Sequence, residues 1–91
     1  MLKNYTEVIV AEMLEEVLDE LKKRMPDLCT CERCREDIMA LALNRLSPRY
    51  VVRDEGEIYT KVNMDQLGGK AEVVTAILHG CEVVKNQPRH N

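Results

Sequence analysis

The sequence predicts a small, mainly α-helical domain, and three observations support that. The apolar palette is aliphatic: none of the 91 residues is Trp or Phe and three are Tyr. Leu, Val, Ile, Met and Ala must therefore build the core, which suits packed helices better than a β-sandwich. Apolar residues recur at helical spacing in three long stretches. Pro26 and Pro48 fall between those stretches, where proline cannot continue a helix. The expected architecture is one domain over residues 1–91, with roughly three to four helices and a short β-hairpin. A chain this short is near the lower limit for a self-sufficient core. It therefore calls for a staple: a metal, disulfides or a partner subunit.

The first helix is expected from about Thr6 to Arg24. Ile9 or Val10, Met13 or Leu14, Val17, Leu18 and Leu21 share its apolar side. Asn4 with Glu7 suits a capping box. Glu7, Glu12, Glu15 and Glu16 near the start, and Lys22, Lys23 and Arg24 at the end, match the helix dipole. The charged side reads as a solvated surface rather than a binding site.

A second helix is expected from about Glu32 to Leu46, with Thr30 or Cys31 at its cap. Ile38, Leu41, Ala42 and Leu46 form its apolar face, flanked by Met39 and Leu43. Tyr50–Arg53 and Ile58–Val62 are β-prone on either side of the turn-like Asp54-Glu55-Gly56, which suggests a hairpin. A lone hairpin is marginal, so it must pack on helices or pair across a dimer. The last element lies between Met64 and about Val84. Met64, Leu67, Ala71, Val74, Leu78 and Cys81 step by 3, 4, 3, 4 and 3 along it, an a/d seam. Gly68-Gly69 interrupts this seam, so a turn followed by a helix from Lys70 is equally consistent. The tail 86–91 is polar, contains Pro88 and is expected to fray.

The densest chemistry is Cys29-Thr30-Cys31-Glu32-Arg33-Cys34, with a fourth cysteine, Cys81, far along the chain. Cys31 and Cys34 on a first helical turn can face one ion, and Cys29 can fold over the same point. The helix start favours thiolates. Cys81 can complete a tetrahedron for one structural zinc ion per chain. Arg24, Arg33 and Arg35 are near enough in sequence to offset the excess negative charge. Other readings stay open. Cys81 can be a small buried hydrophobe, two of the clustered cysteines can form a redox pair, and four cysteines also suit an iron–sulfur cluster. His79 lies two residues before Cys81, about 200° away around a helix, and His90 lies in the tail.

Gly68-Gly69-Lys70 lacks the full phosphate-loop pattern and reads better as a cap or kink. Arg45, Arg49 and Arg53 surround the Ser47-Pro48 break and can clamp an anion, or can simply be solvated. No nucleophile–base pair is legible, so no enzymatic activity is expected. The net charge of −3 disfavours direct DNA binding. No apolar run has membrane-spanning length, and the opening residues lack the apolar stretch of a signal peptide. The expected location is the cytoplasm, where thiols stay reduced and cysteine clusters hold metal.

The stretch Leu28–Val51, most specifically CTCERCREDIMALALNRL, resembles the late competence development protein ComFB family of Gram-positive bacteria and cyanobacteria. Asn4-Tyr5-Thr6-Glu7 and Ala76–Val84 share the resemblance. It implies a homodimeric, zinc-binding helical protein without known catalysis, with Cys29, Cys31, Cys34 and Cys81 as ligands. The expected function is an adaptor or regulator linked to competence, with an unidentified protein partner. The resemblance also implies an alternative, a cyclic dinucleotide receptor of the kind known among cyanobacterial relatives.

Overall fold

The computed structural model describes residues 2–52 and 69–87. In chain order the elements are β1 (Lys3–Asn4), α1 (Tyr5–Arg24), α2 (Glu32–Asn44), β2 (Tyr50–Val51) and α3 (Gly69–Asn86). The domain is mainly helical, as its composition and periodicity predict, and among the described residues it has one two-stranded antiparallel ribbon.

Helix α1 begins where Asn4 leaves the extended conformation and its Oδ1 accepts the Thr6 N–H at 3.1 Å. The same oxygen accepts the Arg49 N–H at 2.8 Å. Thr6 is buried, and its hydroxyl donates to the Ser47 carbonyl at 2.9 Å. The Tyr5 N–H donates to the Arg49 carbonyl at 2.7 Å. The start of α1 is thus a cap that also holds the end of the α2–β2 connection. Asn4→Ala removes an acceptor from two backbone donors at once. It is expected to destabilise the fold by about 1–2 kcal/mol, read as a lower urea midpoint with an unchanged m-value.

Beyond the cap, Ile9, Val10, Leu14 and Leu18 are buried in the core. The helix ends before Pro26, with the Met25 N–H on the Leu21 carbonyl. In α2 the buried residues are Cys34, Ile38 and Ala42, one turn apart. Leu41 and Leu46 are half-buried. The expected end at Leu46 and the observed end at Asn44 differ by a tightened last turn. Arg45 and Leu46 donate to carbonyls three residues back, those of Ala42 and Leu43.

The β-prone Tyr50–Val51 does form a strand. Its partner is β1, with Lys3 opposite Val51 and Asn4 opposite Tyr50. The expected second strand at Ile58–Val62, the Asp54–Gly56 turn, Arg53, Met64, Leu67, Gly68 and the end of the tail with Pro88 and His90 lie outside the described residues.

Helix α3 corrects the seam expected from the sequence. Its buried face is Gly69, Val73, Ala76, Ile77, Gly80, Cys81 and Val84. Ala71 and Leu78 are exposed and Val74 is half-buried. The cause is Gly80. A Cβ built there would lie 2.8 Å from the Ile38 carbonyl oxygen and 3.3 Å from Ile38 Cγ2. The missing side chain lets α3 lie directly against α2, and these two helices make the most extensive contact among the described elements. With Gly80 turned inward, Leu78 faces out. It joins Val74 and Met13, Val17 and Leu21 of α1 in an apolar groove of about 350 Å³, rimmed by Glu16, Glu20 and Arg24.

Candidate metal centre

The connection from α1 to α2 is fixed before any ligand is considered. Leu28 is buried, and its N–H closes a turn on the Met25 carbonyl at 3.0 Å. Lys22 Nζ, on the last turn of α1, donates to the Leu28 carbonyl. Cys31 is the N-cap of α2. Its φ of −65° and ψ of 166° are extended, and its Sγ accepts the Cys34 N–H at 3.5 Å. Cys34 enters the first turn and points into the core, 1% exposed.

The result is convergence. The sulfurs of Cys29, Cys31 and Cys34 all lie within 4.8 Å of one another. Ligands of a tetrahedral zinc–thiolate centre with bonds of about 2.3 Å are separated by about 3.8 Å. The trio therefore needs only side-chain adjustment to grip one ion, and its donor set is that of a soft or borderline metal. It is the one group of three or more such ligands among the described residues, and none of the four cysteines is in a disulfide.

Cys81 is placed differently. It is 3% exposed on the core face of α3 and is not one of the converging sulfurs. His79 is half-buried on α3 and is likewise outside the group.

Electrostatics separate the thiols. Cys31 is held below the ordinary thiol value, chiefly by the Cys34 N–H that it accepts and then by the Cys29 side chain. Burial pushes Cys34 up to about 12, reinforced by its bonds with Cys29 and Cys31. A bound cation reverses that preference by stabilising the anion directly. Burial alone pushes Cys81 up to about 11 from 9.0. A thiol raised in the folded state favours folding below its unfolded value, and that contribution is lost as pH rises through the folded value. Metal-free protein is therefore expected to lose stability between about pH 9 and 11. Cys81→Ala should make that segment of the pH–stability curve shallower in urea titrations, leaving the part that Cys34 contributes as its own raised value is approached.

Of the three arginines expected near the thiolates, Arg35 is engaged there. Its Nε donates to the Thr30 carbonyl at 3.0 Å, and a terminal nitrogen pairs with the Glu15 carboxylate on α1. Arg33 is exposed and Arg24 borders the α1–α3 groove. Sequence reasoning missed Lys22 and also Lys85, whose Nζ lies 3.6 Å from Met25 Sδ. For Lys22 the available signal was its position in the last turn of a helix, where lysines reach free carbonyls; the Lys85 contact with a distant thioether has no such signal.

Elsewhere, Arg45 borders an open cleft of about 450 Å³ with Leu46, Ala71, Glu72, Thr75 and Ala76. Arg49 and Glu72 share the adjoining hollow. Gly69 opens α3 and is buried. Among the described residues no helix is long and apolar enough to cross a membrane.

The family model described as Late competence development protein ComFB matches residues 3–88. The chain belongs to the ComFB family. It is 31% identical over 88 residues to Competence protein ComFB of Bacillus subtilis (strain 168), covering 97% of this chain and 86% of the relative. The solved structure described as the structural characterization of the late competence protein ComFB from Bacillus subtilis superposes with a TM-score of 0.84. It is 32% identical, covering 97% of this chain and 92% of that one. ComFB membership thus rests on sequence and fold over nearly the whole chain.

Proposed function

We propose that this chain is a non-enzymatic regulator or adaptor in late competence development, a cytoplasmic homodimer with one structural zinc ion per protomer. The convergence of Cys29, Cys31 and Cys34 carries the reading. Three thiolates at the junction of α1 and α2 add a crosslink to a loop that the Leu28 turn and Lys22 already position, in a chain short enough to gain from a staple. Cys81 is the fourth ligand in this proposal, supplied after a rotamer or backbone adjustment that brings its buried thiol to the ion. Zinc supplies no chemistry to a reaction here; it crosslinks segments distant in sequence. The α1–α3 groove, with Leu78 42% exposed at its floor, supports the dimer as a surface for a second copy.

The test is native mass spectrometry with elemental analysis on protein purified without added metal or chelator. A dimer with one zinc per chain is expected, and Leu78→Asp should shift it to monomer with zinc retained. A metal-free chain with reduced thiols overturns the zinc reading; a persistent Leu78→Asp dimer moves the interface elsewhere. The open cleft beside Arg45 favours a second reading, a cyclic dinucleotide receptor using Arg45 and Arg49 (with Arg53 outside the described residues). Calorimetry with cyclic di-GMP and cyclic di-AMP at physiological salt checks it. Heat that Arg45→Ala abolishes supports it, and no heat at high micromolar protein rejects it.

A further inference from the structure

Two of the converging thiols sit in a loop and the third on a helix, so the trio persists only if the loop is held against that helix. Cys29 and Cys31 flank Thr30 in the connection leading into α2, and Cys34 belongs to the first turn of α2. One residue past Cys34, Arg35 donates from Nε to the Thr30 carbonyl at 3.0 Å. The same guanidinium pairs through a terminal nitrogen with Glu15 on α1. Arg35 therefore joins three things: the carbonyl between the two loop ligands, the helix that bears the third, and the preceding helix.

The guanidinium suits this task because its donors are fixed in one plane. Pairing with Glu15 sets the plane, and the plane aims Nε–H at Thr30. We infer that Arg35 is a positioning residue for the thiolate site, with Glu15 setting its orientation. The inference rests on the metal-site reading above. Arg35 acts through the Thr30 carbonyl, between the two loop ligands. The ion pair is partly exposed at both ends, so its contribution to stability as such is small. A positional role is thus separable from a folding role. Partners behind metal ligands commonly change metal affinity 10–100-fold.

The experiment loads the full chain with zinc, follows its extraction by a chromogenic chelator, and records absorption after cobalt(II) substitution. Arg35→Ala is expected to release zinc about 10-fold faster and to alter the thiolate–cobalt bands. Arg35→Lys should recover only part, since it restores charge without the planar fork. Glu15→Gln should move in the same direction by less. Arg33→Ala removes the same charge from an exposed neighbour and should change nothing. Metal-free Arg35→Ala should still unfold cooperatively, with a midpoint lowered only by what one hydrogen bond contributes, which separates positioning from loss of fold. Equal release from Arg35→Ala and parent overturns the inference alone. Equal acceleration by Arg33→Ala also overturns it, because charge without position would then suffice. A parent that takes up neither zinc nor cobalt overturns the metal-site reading and this inference together.

Discussion

Gly80→Val is expected to destabilise the protein by about 3 kcal/mol, measured as a lower urea midpoint. A Cβ at this position meets the Ile38 carbonyl oxygen at 2.8 Å, and a backbone carbonyl cannot rotate out of the way. Relief requires α2 and α3 to separate along the most extensive contact among the described elements. Overpacking a well-packed contact costs about 1–3 kcal/mol, and valine's branched Cβ adds crowding within the helix. Gly80→Ala should cost less, because alanine recovers about 1 kcal/mol of helix propensity. Ile38→Ala removes Cγ2, the second neighbour, but leaves the carbonyl. The double variant Ile38→Ala with Gly80→Ala should therefore be less stable than either single variant. If it instead regains stability over Ile38→Ala, the clash lies with the side chain and the backbone account is wrong.

Cys31→Ser is expected to abolish the metal's contribution to stability while leaving the metal-free fold intact. Cys31 is exposed, so the change opens no cavity. It is also the N-cap of α2, a position that serine fills at least as well. Metal-free Cys31→Ser should match or slightly exceed the metal-free parent. The zinc-loaded parent should exceed both by about 4 kcal/mol when free zinc is near 1,000 times its dissociation constant. Cys81→Ser distinguishes two roles for the fourth cysteine. If Cys81 is a ligand, the variant loses the zinc-dependent increment. If it is only a buried apolar group, the variant costs about the same with and without zinc, as expected for a polar group placed in a core. Equal stability of Cys31→Ser and parent at saturating zinc would remove the staple from the account of this fold.

Local signals made much of this structure legible in the sequence. Asn4, Pro26 and Pro48 punctuate α1 and α2, and the observed helices agree with that reading to within about two residues at each end. The cysteine trio was legible because its members fall within six consecutive residues around a cap, where backbone geometry leaves few arrangements. The face of α3 was not legible. Two apolar stripes overlap on it, and the stripe that wins does so through Gly80, a residue that hydrophobic periodicity does not count. The partner of Tyr50–Val51 was hidden for a different reason. Its pairing with Lys3–Asn4 reaches across α1 and α2, and a two-residue strand carries no register signal of its own. In the sequence Lys22 matches the helix dipole and no more, because its reach to the Leu28 carbonyl depends on how the chain turns after Pro26.

The pairing of the first residues with those near position 50 has a consequence for how the chain is made. Synthesis releases Asn4 early, but the backbone donor of Arg49 that completes its bonding emerges only after the intervening residues. At about 5–20 residues per second, Asn4 waits for seconds, with its cap made to Thr6 alone. The cap of α1 is thus completed well after its own residues are made, though still ahead of α3. Changes to Lys3–Asn4 and a cut near residue 49 therefore act on one and the same closing step.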